Sequence, residues 1–177
     1  MSIHFGGKKV KEMYWGGRKI REAWYGGQRV FSGKPVEVMP PTPGMYVARD
    51  WLRGKHTEYG EDYRTVQELP FEIDSSQATI MREMFYNCRA LTTVPDMDTS
   101  QVTAMRAMFR DCSSLTTVPD MNTHNVTDMV EMFRGCSSLT DGNVRLIGKL
   151  TGVSTVRMIQ DSGLTREPFY DSSGQPI

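Results

Sequence analysis

Residues 81–96 read Met-Arg-Glu-Met-Phe-Tyr-Asn-Cys-Arg-Ala-Leu-Thr-Thr-Val-Pro-Asp, and residues 105–120 return 24 positions later as Met-Arg-Ala-Met-Phe-Arg-Asp-Cys-Ser-Ser-Leu-Thr-Thr-Val-Pro-Asp. A partial copy follows at residues 129–140, and a half copy precedes them at residues 73–79. A single unit of this kind cannot bury its apolar face, whereas neighbouring units that stack build a continuous core. The sequence therefore predicts a repeat solenoid with caps at both ends.

Each unit is predicted to hold one short helix and one short strand. Val102, Met105 and Cys112 recur at helical spacing, so we expect about three helical turns after the capping residues 98–100. The β-prone residues 115–118 end at a proline and predict a strand on the other wall. Residues 144–150 suggest a closing helix, and residues 153–159 a last strand. The predicted structural ladder consists of Met84, Phe85, Cys88, Leu91, Met108, Phe109, Cys112, Leu115, Met132, Phe133, Cys136 and Leu139.

Two features of the ladder have a chemical as well as a structural interpretation. The three cysteines fit a metal or redox set, but zinc sites use closely spaced Cys-x-x-Cys pairs, which are absent here, so we interpret the cysteines as buried thiols. The Met-Phe stripe fits an adaptable binding surface, and we interpret it as core between helix and strand. The pairs Asp96-x-Asp98 and Asp120-x-Asn122 suggest calcium, but they lack the other oxygen-rich positions of an EF-hand loop, so we interpret them as turn-forming and helix-capping residues.

A second period, of ten residues, fills the N-terminus, with Gly-Gly at positions 6–7, 16–17 and 26–27. Gly-Gly between β-prone runs is typical of two-residue hairpin turns, so residues 2–32 are interpreted as a four-stranded antiparallel meander. A ten-residue solenoid would fit the same period. The meander aligns Ile3, Val10, Ala23 and Val30 in one apolar row, and it pairs Glu12 with Arg21 and Lys11 with Glu22.

Charge and composition divide the chain. Lys+Arg and Asp+Glu both number 21, yet residues 1–34 carry a net charge of +6 and the remainder −6. Four prolines favour an extended spacer between the halves. We therefore predict a β-meander attachment module (1–33), a Pro-rich linker (34–44) and a leucine-rich-repeat-like solenoid with its caps (45–177). The fold class is α+β, with a small antiparallel meander joined to an α/β solenoid.

The N-terminal module carries the predicted binding site. A four-stranded sheet of this size cannot cover both faces, so one face needs a partner. We expect it to dock onto a protein lattice or onto the C-terminal domain; nucleic acid, which basic and aromatic residues also fit, is the alternative. The predicted attachment residues are Lys9, Lys11, Tyr14, Trp15, Arg18, Lys19, Trp24 and Tyr25.

The sequence carries no recognisable catalytic signature. His4, His56 and His124 have no nucleophile or carboxylate at catalytic spacing, and phosphate-loop, zinc-protease and serine-hydrolase motifs are absent. We therefore expect no enzyme activity, no cofactor and no metal. No apolar run is long enough to span a membrane, and the first residues do not form a signal peptide.

The 24-residue unit, Met-x-x-Met-Phe-x-x-Cys-x-x-Leu-Thr-x-x-Pro, resembles the BspA-like leucine-rich-repeat family of bacterial and mycoplasma surface proteins over about residues 69–140. That resemblance implies a right-handed solenoid used for display and adhesion. The Gly-Gly-x-x-Val unit is similar to short β-repeats of tailed-phage structural proteins, particularly tail proteins. Together they imply a component on the exterior of a virion, released by lysis without an export signal.

From these resemblances we expect a non-enzymatic phage structural protein, either a minor tail protein or a capsid decoration protein. Its N-terminal module would bind other virion proteins, and its solenoid would contact a host surface protein or glycan or reinforce the particle, as an oligomer in the particle and without a membrane partner. The alternative is a bacterial cell-surface adhesin or interaction module. An intracellular nucleic-acid binder is a third hypothesis, which predicts steeply salt-dependent binding.

Overall fold

The structure, a computed structural model, describes residues 36–41, 48–148 and 151–177 in full, the backbone of Val47, and the backbone pairing of six short strands between residues 3 and 31. These strands are β1 (Ile3–Phe5), β2 (Lys8–Val10), β3 (Met13–Trp15), β4 (Arg18–Ile20), β5 (Ala23–Tyr25) and β6 (Gln28–Phe31). They pair as three separate antiparallel hairpins, β1 with β2, β3 with β4 and β5 with β6.

The predicted four-stranded meander is therefore wrong. Ile3 lies opposite Val10, but Ala23 lies opposite Phe31 across an irregular register, not opposite Val30. The predicted charge pairs at positions 11, 12, 21 and 22 lie outside the described residues. A Gly-Gly turn specifies only the two strands that it joins. It does not specify whether one hairpin pairs with the next, and no other feature of the sequence indicated that the hairpins join into one sheet.

Residues 36–41 and 47–72, which we call the cap, close the N-terminal end of the repeats. Strand β7 (Val36–Val38), inside the predicted linker, pairs in parallel with β8 (Glu72–Asp74). The single helix that the described residues contain, α1 (Val47–Glu58), buries Ala48, Leu52 and His56. Positions i, i+4 and i+8 share one face of a helix, so this face packs inward against Phe71, which is fully buried.

The repeats form four stacked coils that begin at residues 73, 97, 121 and 146. Residues 78–88 and their copies form one side of the stack, the turn wall. Its coils pair through parallel bridges between Ile80 and Ala104, Ala104 and Asp128, and Asp128 and Ser154. No residue of the described repeats is in a helix. The predicted α/β solenoid is therefore wrong, because the turn wall consists of turns.

The reason lies in the backbone. Two positions of every turn wall are left-handed, with φ of 54° at Glu83 and 64° at Asn87, and their counterparts repeat this through the last coil. A left-handed residue every few positions excludes an α-helix. The N–H groups therefore bond to the next coil, as Met81 does to the Ala104 carbonyl at 2.9 Å. Turns stacked in this way reproduce the apolar spacing of a helix.

The opposite side, the strand wall, contains a small parallel sheet of β9 (Met121–Asn122), β10 (Leu146–Ile147) and β11 (Phe169–Tyr170). The predicted strand at residues 115–118 is wrong, although Thr116 and Val118 donate hydrogen bonds to neighbouring coils. Strand β10 stands where the closing helix was predicted, and residues 153–159 form turns instead of the predicted last strand. From residue 36 onward the described part of the fold thus consists mostly of turns and small parallel sheets with one short helix, after three antiparallel hairpins at the N-terminus.

Candidate functional site

The predicted attachment residues lie in the three hairpins. Tyr14 is opposite Lys19 and Trp15 is opposite Arg18 in one hairpin, and Trp24 is opposite Arg29 in the next. Each of these aromatic residues therefore has a basic residue as its backbone partner in the hairpin. Tyr25 lies in β5 and Lys9 in β2, whereas Lys11 lies outside the described residues. The side chains of this patch are outside the described part, so the patch stays a prediction.

The twelve ladder residues all lie in the interior, none more than 1% exposed. Phe85, Phe109 and Phe133 stack nearly in parallel, with ring centroids 5.3 and 5.5 Å apart. Offset stacking of this kind adds about 0.5–1.5 kcal/mol per pair beyond apolar burial. The interior of the coils is thus a structural column, and ligand recognition must use the outer surface.

The three cysteines are protonated thiols. Burial raises the pKa of Cys88 and of Cys136 to about 12, and it raises the pKa of Cys112 well above its usual value. The Sγ of Cys112 donates to the Phe85 carbonyl at 3.0 Å, and that of Cys136 donates to the Phe109 carbonyl at 2.9 Å. Only the thiolate is a nucleophile or a metal ligand, so this column does not supply either at neutral pH.

The aspartates before each turn wall form local turns. The side-chain oxygens of Asp74, Asp98 and Asn122 each accept the N–H two residues on, at 2.9–3.1 Å. The hydrogen bonds from Ser76 and Ser100 hold the pKa of Asp74 and Asp98 below the usual value. Within the ranges described in full, no group of three or more His, Cys, Asp or Glu side chains is placed to hold a metal ion.

The outer face of the turn wall carries a strip of arginines, which we call the Arg strip. It consists of Arg82, Arg106, Arg110, Arg134 and Arg157. At its centre the Glu131 carboxylate accepts Arg110 at 2.7 Å and Arg134 at 2.8 Å, with Arg157 at 3.5 Å. Burial raises the pKa of Glu131, but the Arg134 hydrogen bond and the three positive charges outweigh it, and the net shift is downward.

Sequence reasoning missed this strip. Its period was visible, because Arg82 and Arg106 occupy one repeat position and Arg110 and Arg134 another. Glu131 sits at a left-handed position, φ 58°, which turns its carboxylate toward the arginines of three successive coils. Asp111 lies 3.5 Å from Arg110 and Asp161 lies 4.0 Å from Arg134, so the carboxylates at this point balance the three guanidinium groups. The strip is therefore a network of ion pairs on the outer surface, which can contact a polar surface.

The cap holds the remaining buried ionisable groups. Glu37 accepts the Tyr59 hydroxyl at 2.6 Å and the Lys55 ammonium at 2.8 Å. His56 is 1% exposed, and neither of its ring nitrogens has a hydrogen-bond partner among the described residues. Burial lowers the pKa of His56 to about 4, despite the nearby Asp62 charge. The imidazole is therefore neutral at pH 7.

An open cavity of about 500 Å³ lies beside His56, bordered by Arg53, Tyr63 and Arg64. Both guanidinium groups donate to the Tyr63 hydroxyl at 2.9 Å and lie over its ring. These contacts rigidify the end of α1. The other histidine of the ranges described in full, His124, lies within hydrogen-bond distance of the Asn122 side chain, at 3.0 Å.

The comparisons with known proteins give one match. Residues 62–160, more than half of the chain, match the family model described as "Mycoplasma protein of unknown function, DUF285". No curated protein and no solved structure gives a significant match. Among the residues that the structure describes, no helix is both long and apolar enough to cross a bilayer.

Proposed function

The chain belongs to the DUF285 family of Mycoplasma proteins of unknown function, and on that premise we propose that it is a non-enzymatic display protein on the exterior of a bacteriophage particle. The stacked coils would present their outer surface to a host protein or glycan, and the N-terminal hairpins would attach the chain to other virion proteins. The likeness of the repeats to BspA-like surface proteins and of the hairpin period to phage tail proteins supports this proposal.

The observation that carries the proposal is the division of labour within each coil. The repeated Met, Phe, Cys and Leu side chains are buried and stack inside the coils, while the repeated Arg side chains lie on the outer surface. A surface built on hydrogen-bonded coils is held rigid, and rigid presentation lowers the entropic cost of binding. A presentation scaffold needs this arrangement.

Quantitative mass spectrometry of purified virions tests the location. Hundreds of copies per particle would indicate capsid decoration, and a handful would indicate a tail protein. Absence of the chain from purified particles would overturn the virion proposal.

A deletion tests the attachment role. The cut must remove residues 2–33 only, because β7 pairs with β8 and Met39 is fully buried in the core. We expect the shortened chain to melt as the full chain does but to be missing from particles. If it still joins the particle, the hairpins are not the attachment module.

A cell-surface adhesin or interaction module is the second candidate, favoured by the family match itself, which covers the coils and not the hairpins. Genomic neighbours separate the two candidates. Head and tail genes beside this gene would support the virion, whereas secretion and surface-protein genes would support the adhesin.

A further inference from the structure

Between residues 81–87 of the turn wall and their copies, the backbone hydrogen bonds between coils all run in one direction. Among the described residues of this wall, only those just before these segments, Thr103, Thr127 and Ser154, donate to the preceding coil. In the first coil the N–H groups of residues 81, 83, 85 and 87 donate to the carbonyls of residues 104, 106, 108 and 110 at 2.8–2.9 Å. The second coil donates to the third in the same pattern, and the third to the fourth at 2.8–3.0 Å. Every coil therefore presents four donors, at alternate residues, toward the C-terminal end.

In the fourth coil the equivalent donors are the N–H groups of Thr155, Arg157, Ile159 and Asp161. None of them donates to any residue of the described part of the chain. The left-handed φ values repeat here, 56° at Arg157 and 58° at Asp161, so the backbone keeps the geometry of the coils beneath. The four donors thus point out of the end of the stack as one row.

The strand wall ends differently. There β11 adds a further layer beyond the fourth coil, and the C-terminal tail covers it, because Tyr170 bridges to Pro176 and the Ile177 N–H donates to Phe169 at 3.1 Å. At the other end of the stack the cap covers the first coil, with Arg49 of α1 bonded to Glu83 at 2.5 Å. The turn wall of the fourth coil stops one layer short of the strand wall beside it.

We propose that residues 154–161 bind a peptide segment of another protein as one further coil, held by the main-chain N–H groups of Thr155, Arg157, Ile159 and Asp161. Four donors at alternate residues require four carbonyls at the same spacing, which a polypeptide backbone supplies. The same hydrogen-bond pattern joins the first coil to the second, the second to the third and the third to the fourth. The proposed contact does not depend on where the protein is displayed.

The side chains define which peptide fits. Ile159 continues the phenylalanine column above Phe133 and is half-buried, so it offers an apolar platform to an aromatic residue. Met158, which ends the methionine column, is 1% exposed and contributes no open surface. The segment should therefore carry the aromatic position of the repeat's own pattern, the Phe that stands four positions after an apolar residue. A second copy of this chain cannot supply it from its first coil, whose end the cap already covers.

The test uses the full chain and a synthetic peptide with the sequence of residues 103–113, in which Cys112→Ser prevents oxidation. Binding is followed by fluorescence anisotropy, with a scrambled peptide of the same composition as control. We expect the repeat peptide to bind at least tenfold more tightly than the scrambled one. Equal binding of the two peptides, or no binding at millimolar concentration, would overturn the proposal.

Two variants examine the main-chain donors. Thr155→Pro removes one outward N–H, which has no partner within the described chain, so folding loses no hydrogen bond; Ser154 before it is in a β-bridge and tolerates a following proline. Thr155→Val is the matched control, because it keeps the N–H and the shape. We expect about tenfold weaker binding for Thr155→Pro, the effect of one hydrogen bond, and less than twofold for Thr155→Val. Equal affinity in the two variants would overturn the assignment of the donors.

Amide hydrogen exchange locates the peptide. The amides of residues 155, 157, 159 and 161 should exchange quickly in the free chain and slow at least tenfold with saturating peptide. Slowing confined to other residues would contradict the site. If sedimentation shows the full chain dimerising through this wall without peptide, and Thr155→Pro abolishes the dimer, the occupant is a second copy and the peptide proposal is wrong. None of these outcomes depends on particle copy number, so this inference and the virion location fail separately.

Discussion

The coils and the cap both bury polar groups, but they satisfy them in different ways. In the coils one solution is copied at a 24-residue interval, so that the buried Ser75 hydroxyl donates to the Asp98 carbonyl and the buried Thr99 hydroxyl donates to the Asn122 carbonyl, both at 2.9 Å. In the cap each group depends on its own neighbours. Glu37 has Lys55 and Tyr59, while His56 has apolar and aromatic surroundings and no hydrogen-bond partner among the described residues. The stability of the coils should therefore depend on unbroken packing from one coil to the next. The stability of the cap should depend on pH, because its buried groups are titratable and occur only once.

The largest effect should come from interrupting the phenylalanine column. Phe109 stacks on a ring on either side, so Phe109→Ala opens a cavity between two coils and removes both contacts. We expect a loss of about 3–5 kcal/mol in the free energy of unfolding, measured by urea denaturation. Val156→Ala is the control, because Val156 is 60% exposed and its truncation should cost less than about 0.5 kcal/mol. A small effect of Phe109→Ala would mean that the coils are not coupled through this column.

The cap should respond to acid through His56. Its pKa is about 4 in the folded protein and about 6.5 when unfolded, so the two states bind protons equally above pH 6.5. As the pH falls from 6.5 to 4 the unfolded state takes up the proton first, and stability is lost by no more than about 1.4 kcal/mol per pH unit. His56→Phe should remove this component of the pH dependence of Tm, whereas His124→Gln should retain it. An unchanged slope in His56→Phe would show that other groups cause it.

Residue patterns predicted the columns of the coils but not their backbone. Met, Phe, Cys and Leu return every 24 positions, and this period alone is enough to predict which residues stack on one another. Left-handed residues make the turn wall a series of turns and not a helix. Glu83, Ala107 and Glu131 do not reveal their left-handed conformation in the sequence, because Glu and Ala favour helices. A signal did exist at the second left-handed column, where Asn87, Asp111 and Gly135 are types that tolerate positive φ.

The cap and the ion pairs of the Arg strip could not be predicted, for another reason. Helix α1 occurs once, so no repetition marks it, and β7 reads as a proline-rich spacer until its partner β8 is known. The carboxylate of Glu131 binds Arg110, 21 positions before it, and Arg157, 26 positions after it, as well as its near neighbour Arg134. Such contacts follow from how the coils stack and from no local pattern.

Serine substitutions test whether the side chain at the cysteine position finds a hydrogen-bond acceptor only where a preceding coil supplies the carbonyl. Cys112 reaches the carbonyl of Phe85 one coil earlier, whereas Cys88 lies in the first coil, and its Sγ has no hydrogen-bond partner within the described residues. A hydroxyl at position 88 would be buried without a partner, which costs about 1–3 kcal/mol. We expect Cys88→Ser to lower the free energy of unfolding by at least about 1 kcal/mol more than Cys112→Ser. Equal losses at the two positions would argue against the coil-to-coil hydrogen bond.

The smallest effect concerns the left-handed column itself. Gly135 has φ of 74°, and a methyl group there would lie 2.6 Å from the Asp111 Oδ1 atom of the coil before it. That oxygen ends a flexible side chain and can move, so the left-handed backbone should dominate the cost of Gly135→Ala, about 1 kcal/mol. Asp111→Gly in the same chain removes the contact without adding strain at its own left-handed position, φ 61°, and the double variant is compared with the Asp111→Gly single variant. We therefore expect the double variant to recover less than half of the loss in urea denaturation, since full recovery would mean that the side-chain contact, and not the backbone of the repeated turn, selects glycine at this position.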